Sequence, residues 1–407
     1  MRRANEMYSV SVHESLDALG RDRWDCLDER DFFLSSHWLA AVSRVMPQSR
    51  CVLVEDETRS PVTGAVLYLV GADEWTFQNP AKLALGEGLI ADFEPYQSGP
   101  EKERSARLRE ELAASLCERL PAAVCVVPYS YEPAVRGGAT DPEAVETLVS
   151  ALEELAAGWG AESRAFLYVG AVDGEPLASA LCRRHYRRMT IGARCVMPVW
   201  WEDLDGYLAR FRRRRRWTIG QELAGFAASG LVLELCDGTR LGDVADELAR
   251  LSAKLMKKYG HGFDVGREQS TLKMLRENVA PFINLFLVRR EDRIVAYSLF
   301  YRLRDRLQIA FAAQDYDLVG PRDAAHFMCT YYAPVRYAAR AGVTEIDFGV
   351  GAYRTKSNRG CELRPLEGFF DFGSSGDGDL LELFALQDQA SRRFLEDHRP
   401  PFARREA

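Results

Sequence analysis

The sequence lacks most of the patterns that announce a chemistry. Its six histidines form no H-E-x-x-H pair, and no nucleophile elbow, P-loop or redox motif is present. Zincin, hydrolase-elbow and P-loop chemistry are set aside on that ground, and no metal is expected. Nine cysteines are dispersed from Cys26 to Cys361 without one C-x-x-C pair. Such a set fits thiols in a reducing compartment rather than a disulfide framework or a zinc site. No apolar run approaches ~18 residues, and the opening "MRRANEMYSVSVHESL" has no apolar core of signal-peptide length. A soluble, cytoplasmic protein is expected. Positive charge is also in deficit: 53 Lys+Arg against 60 Asp+Glu leave a net charge of −7. A surface that coats nucleic acid all over is excluded, while a local basic groove is not.

What is present suffices for a folded enzyme of ordinary size. Hydrophobic residues make up 47% of 407, enough for a substantial core and for two domains. Strand and helix signals alternate along the chain. Extended runs lie at 8–12, 51–57, 62–70, 122–130 and 163–171, with helices at 101–120 and 141–160. The 141–160 helix opens on Asp141 and Pro142, a cap followed by a proline at the first helical position. Its Val145, Leu148, Leu152, Leu155 and Trp159 share one face.

The second half repeats part of this plan. "CVLVEDETRSPVTGAVLYLV" (51–70) and "LFLVRREDRIVAYSLFYRL" (285–303) are each strand, charged turn and longer strand, and each follows a helix ending in proline. Each half later presents a helix and then a strand. An ordered set of this kind points to duplicated domains. The long helix 243–259, closed by Gly260, and an amphipathic tail at 378–400 complete the outline.

Between the halves runs "YLARFRRRRRWTIGQE" (207–222), with Arg212 to Arg216 in an unbroken row. On a helix Arg212 and Arg216 share a face, as do Arg213 and Arg216, while Arg214 and Arg215 point elsewhere. Leu208, Phe211 and Trp217 flank the run and are expected to anchor it to a core. The row is either a solvated face or a helix with one or two arginines turned toward phosphate.

Four stretches together resemble one family. "FFLSSHWLAAVSRVMP" (32–47) is similar to an early pattern of Phe, polar pair, Trp and basic residue. "LASALCRRHYRRMTIGARCVMPV" (177–199) is similar to an end-of-domain pattern, though Tyr186 stands where Gly-Phe is commoner. "DGYLARFRRRRRWTIGQELAGFAASG" (205–230) resembles a basic helix opening a second domain, and "IDFGVGAYRTKSNRGCELRP" (346–365) a closing segment. In order and spacing they resemble tandem GNAT acyltransferases of the Fem type, which use aminoacyl-tRNA, and the related peptidoglycan biosynthesis/recognition proteins. The resemblance implies an α/β (α+β) fold. It would hold two GNAT-like domains, 1–198 and 199–375, each a mixed, mostly antiparallel sheet flanked by helices, and a C-terminal helix and tail over 376–407.

It also implies a reaction: transfer of an acyl or aminoacyl group from an activated, phosphate-bearing carrier to an amine. The carrier is gripped, the amine deprotonated and the oxyanion stabilised. Lys356, after the Gly-containing strand end "DFGVGAYRTK", is placed near the reacting carbonyl or donor phosphate, with Arg354 and Arg359 beside it. Arg216 best matches the basic residue near the ligand cleft, with Arg212 and Arg213 as companions. Arg44 and Trp38 fall where a substrate-contacting segment lies. For a general base Asp315, His261 and Glu362 are the candidates. A CoA-binding GNAT domain shows a Gly-rich turn before a helix. The corresponding "DYDLVGPRDAAHF" (315–327) has one Gly, then Pro321, which has no N–H, and Arg322. The matching place in the first half is read at 94–108. Both turns are degraded, so aminoacyl-tRNA stands slightly ahead of an acyl-CoA or phosphopantetheine thioester as co-substrate, with no tightly bound cofactor. The acceptor is a cell-wall precursor or another small amine. Two further readings stay open: a catalytically inactive tandem scaffold that binds a ligand or partner, and a nucleic-acid-binding regulator using residues 212–216.

Overall fold

The computed structural model describes residues 7–27, 31–42, 48–137, 141–170, 174–260, 262–373 and 377–399. The chain divides into two compact units, Met1–Arg194 with Leu363–Arg399, and Cys195–Glu362.

The first unit starts with β1 (Ser9–His13), two short helices, and a third at Ser36–Val42. The hairpin β2 (Ser49–Glu55) and β3 (Pro61–Val70) follows, antiparallel to β1 through β2. A long excursion containing the helix Gly99–Glu118 leads to β4 (Ala122–Cys125), antiparallel to β3, and β5 (Val135–Gly137) pairs with β3 as well. The helix Pro142–Gly158 then crosses to β6 (Ser163–Gly170), parallel to β4. Asp141 caps that helix by accepting from the N–H of Ala144 at 3.0 Å, and Val145, Leu148 and Leu152 are buried as their spacing requires.

The second unit repeats this order. The strand β7 (Arg187–Pro198) enters it at Cys195, and the basic helix Arg213–Ala228 leads into β8 (Val232–Asp237). Two helices, Leu241–Lys258 and Val265–Val279, precede the antiparallel strands β9 (Ile283–Arg290), β10 (Arg293–Leu303) and β11 (Arg306–Gln314). A crossover helix over 325–341 returns the chain to β12 (Glu345–Asp347), parallel to β11 and antiparallel to the end of β7. That helix widens into a π turn at Met328–Tyr332, just before Pro334, whose ring nitrogen cannot donate to the preceding turn.

Two features depart from the outline read in the sequence. The strand β13 (Glu362–Asp371) pairs with β6, and from Leu363 onward the chain belongs to the first unit. The helix Asp377–Asp397 goes with it, tied by Arg393 to Glu101 (2.8 and 3.0 Å), Arg104 to Glu382 (2.6 Å) and Phe394 on Phe93. The first-unit segment equivalent to 315–327 is not 94–108. Those residues run into a helix joining antiparallel β3 and β4, whereas the parallel crossover begins after β4. Among the described residues no helix is long and apolar enough to cross a membrane.

Candidate functional site

The second unit opens where its parallel pair comes apart. β12 matches β11 only from Arg306–Glu345 to Gln308–Asp347. Beyond that point Phe348 donates its N–H to the carbonyl of Cys195, and Cys195 donates to the carbonyl of Gly349, both at 2.9 Å. The chain therefore follows β7 and leaves β11, helped by Gly349 and Gly351 at positive φ. Among the described residues Ile309–Gln314 pair only with β10, and a bulge at Ala310, opposite Leu299 and Phe300, turns this stretch. The result is an open strand edge, lined by half-buried residues, that can take an extended arm by main-chain hydrogen bonds.

Three elements meet beside it on a buried charge. Glu222 of the basic helix accepts from Arg359 Nη2 at 2.8 Å and from the hydroxyl of Tyr332 in the π turn. Arg359 is 3% exposed, and its guanidinium lies 3.6 Å from the ring centre of Phe327. Burial opposes its charge, and the Tyr332 and Glu222 groups outweigh this, so its affinity for the proton is raised. The Arg359 carbonyl accepts from Tyr207 at 2.7 Å. Arg215 turns inward to donate to the Asn358 carbonyl, and burial followed by the neighbouring Arg359 lowers its pKa. His326 sits next to this cluster, its Nδ1 3.4 Å from Thr330 Oγ1. Burial first, then Arg359, Lys258 and Lys356, push it down to about 4. It is a neutral imidazole at pH 7, suited to polarising a carbonyl rather than taking a proton.

On the other face of β10, Tyr297 pairs in register with Ala313 of the open stretch. Its hydroxyl lies 2.7 Å from Ser252 Oγ, which also reaches Glu268 at 3.2 Å. Burial raises the pKa of Glu268 above the usual carboxylate value. Neither Glu222 nor Glu268 was among the residues singled out by sequence.

The residues that were singled out are placed as follows. Lys356 is buried, its Nζ donating to the Val350 carbonyl at 2.7 Å, and so spans the turn between β12 and its own short helix Tyr353–Ser357. Arg354 in that helix is exposed. Arg212 stands at the N-cap position of the basic helix, and Arg212, Arg213, Arg214 and Arg216 are exposed, so Arg215 is the inward member of the row. Trp217, read as an anchor, is 65% exposed; Ile219 and Phe226 bury the helix instead. Glu362 is exposed at the start of β13. Trp38 belongs to the first unit, buried, with its indole N–H on the Pro128 carbonyl at 3.2 Å. Arg44 and His261 lie outside the described residues.

Asp315 closes the loop that follows β11. Its carboxylate is buried and accepts from Lys254 Nζ at 2.6 Å and from the Asp317 N–H at 3.1 Å. Burial works against the charge, but Lys254, Asp317 N–H and Arg293 hold its pKa below the usual value. Leu318 and Val319 donate to the Asp315 carbonyl, and Gly320 donates to the carboxylate of Asp323 at 2.9 Å. Arg290 clamps this turn, reaching the Leu318 carbonyl at 2.6 Å and Asp323 at 3.2 Å. Among the described residues no three His, Cys, Asp or Glu side chains gather to hold a metal ion.

A tandem pair of GNAT-type α/β units is the class this topology defines. Residues 117–391, more than half the chain, match the FemAB-like family, described as peptidoglycan biosynthesis/recognition, and the chain belongs to that family. Among solved structures, FemX is similar at 13% identity, with 89% of this chain and 97% of that one covered and a TM-score of 0.58. A tandem GNAT protein from the clavulanic acid biosynthesis pathway is similar at 11% identity over 91% and 100% of the two chains, with a TM-score of 0.51. A conserved protein of unknown function from Bacteroides thetaiotaomicron VPI-5482 gives 12% identity, 86% and 96% coverage and 0.54. At such identities the likeness shows the fold. No curated protein sequence matches the chain.

Proposed function

We propose that the chain is an acyl or aminoacyl transferase that carries its group from a phosphate-bearing donor to an amine, the donor lying on the second unit. The observation that carries this reading is the open edge of β11 at Ile309–Gln314, beside a buried cation cluster. An amine nitrogen bonds to the donor's carbonyl carbon while the carbon–oxygen or carbon–sulfur bond to the carrier breaks. One amine proton ends on the carrier's leaving atom. Lys356 acts by holding the turn that opens the edge, and His326 polarises the carbonyl. Glu268, with its raised pKa, is the base the geometry favours, reached through Ser252 and Tyr297. Asp315, already bound to Lys254, fixes the loop.

Aminoacyl-tRNA is the donor this reading prefers, because the amides of the 315–324 loop are largely committed within the loop. The exposed Arg212, Arg213, Arg216, Arg354 and Arg322 would meet its phosphates. The family's description makes an amine of a peptidoglycan precursor the acceptor to try first. The test is binding of total aminoacylated tRNA near physiological salt with CoA as competitor. Tight binding, insensitive to CoA and weakened in an Arg212→Ala/Arg216→Ala double variant, is the expected result; no binding of tRNA sinks this donor. The inactive-scaffold reading draws on Lys356 and Asp315 both having structural partners. It requires that no donor be turned over by the folded protein.

A further inference from the structure

In the loop between β11 and the crossover helix, a carboxylate occupies the place where a strand-to-helix loop would offer main-chain N–H groups to a phosphate. Gly320 N–H points at Asp323 Oδ2, 2.9 Å away. The same oxygen is 3.2 Å from Arg290 Nη2, so an amide and a guanidinium converge on one anionic atom. That pairing of donors is what a bound phosphate oxygen receives in an anion cradle. Several of the loop's other N–H groups are already taken. The N–H groups of Asp317, Leu318 and Val319 are taken by Asp315, the N–H of Asp323 by the Gly320 carbonyl at 3.1 Å, and Pro321 has none. Arg290 also holds the Leu318 carbonyl, which keeps the turn in place whether or not the carboxylate is there. On the far side, the carbonyl of Arg322 lies against Gly225 of the basic helix so closely that a Cβ there would meet it at 2.2 Å. The loop is therefore pinned from both sides with its anion already inside.

We propose that Asp323 is a built-in substitute for a phosphate: it closes this loop to diphosphate-bearing donors and covers a latent anion site formed by Gly320 N–H and Arg290. A diphosphate would have to displace a tethered carboxylate already satisfied by both donors, and it would bring its own charge toward Asp315, Asp317 and Asp323. A carrier that presents its phosphates elsewhere meets no such barrier. The inference deepens the transferase reading by naming the donor class this loop refuses, and it rests on that reading only there; the anion site is tested without any reaction.

The experiment titrates the folded chain with inorganic pyrophosphate and, separately, CoA, reading thermal midpoint and amide hydrogen exchange over 316–324. The wild type is expected to respond to neither at millimolar concentration. Asp323→Ala should start lower in midpoint and recover saturably with pyrophosphate, with exchange slowed in the loop. Arg290→Ala/Asp323→Ala should lose that recovery. Asp323→Asn keeps an acceptor for Gly320 without the charge, so it should fold and recover less than Asp323→Ala. Saturable protection of the loop by CoA or pyrophosphate in the wild type overturns the proposal. So does equal response of wild type and Asp323→Ala, or a recovery that persists without Arg290. Loss of transfer activity in any of these proteins bears on the function alone and leaves the anion readout intact.

Discussion

Glu222 is the residue whose removal discriminates most sharply. Its carboxylate is 18% exposed and serves two groups at once, Arg359 at 3% exposure and the Tyr332 hydroxyl. Glu222→Ala strands both: a buried guanidinium loses its counter-charge, and a buried hydroxyl loses its acceptor. Removing one partner of a buried ion pair costs about 3–5 kcal/mol. Both donors meet the same oxygen, Oε2, and Glu222→Gln can keep an oxygen there for both while losing the charge, so its cost should be about 1–2 kcal/mol, the margin between charged and neutral hydrogen bonds. In Glu222→Met/Arg359→Met the charges go together, and the loss should shrink to within about 2 kcal/mol of wild type, part of it the contact of Arg359 with Phe327. Native-state hydrogen exchange of the helix Arg213–Ala228 measures this in the right place, since opening of that helix needs no assumption that both units unfold together. The reasoning is refuted if Glu222→Ala costs under about 1 kcal/mol, the range of ordinary surface changes. It is refuted equally if the double variant loses as much as the sum of the two single ones.

Other outcomes follow from the same geometry. Ala324 and Ala352 both sit at positive φ, 51° and 47°, immediately before the helices that flank the open edge; Ala→Gly at either should raise stability by about 0.5–1 kcal/mol in urea titration, and a loss would show that the backbone there is unstrained. His326 has its folded pKa lowered to about 4 from 6.5, so the unfolded chain binds the extra proton between those values and stability is complete above pH 6.5. It should fall as the pH drops from about 6.5 toward 4, and His326→Gln should flatten that slope in a midpoint-versus-pH series. If Glu268 is the base, the acid limb of kcat/KM should lie above the ordinary carboxylate range, and Glu268→Gln should remove the limb while KM changes little. Lys356→Met removes the bond to the Val350 carbonyl, so amide exchange over 348–353 should speed up and transfer should fall with it; unchanged exchange and turnover would show that Lys356 does not hold this turn.

The strands β2, β3, β9 and β10 were legible because each is a mostly apolar run, and they fall close to where those runs lie. The helix Pro142–Gly158 was legible from its cap and proline alone. The return of the chain to the first unit at Leu363 was not. β7 is a single twelve-residue strand, "RRMTIGARCVMP", and nothing in its hydrophobicity marks Arg194 from Cys195. β13 follows the second repeat in sequence but pairs with β6, with Phe369 opposite Phe166 and Phe370 opposite Ala165. Choice of a strand's neighbour is a nonlocal fact that its own pattern does not encode.

The basic helix shows why the site was only half legible. Its inward face is Arg215, Ile219, Glu222 and Phe226, spaced four, three and four residues apart, which is one stripe of an α-helix. The sequence pointed instead to Leu208, Phe211 and Trp217 as the flanking anchors, and Trp217 lies two positions off that stripe, open to solvent. Starting from Ile219 and Phe226 would have turned Arg215 and Glu222 inward and Arg213, Arg214 and Arg216 outward. The row of five arginines then divides by geometry into one that locks the fold and four that are exposed. An unbroken run of like charge hides this division, because composition is uniform along it while the helix presents a new face at every residue. Glu222 was invisible for the complementary reason. Its partners Tyr332 and Arg359 lie 110 and 137 residues away, so no local spacing connects them. A buried charge of this kind is found by asking which acidic residue shares a helical stripe with two apolar ones, and that question can be put to sequence alone.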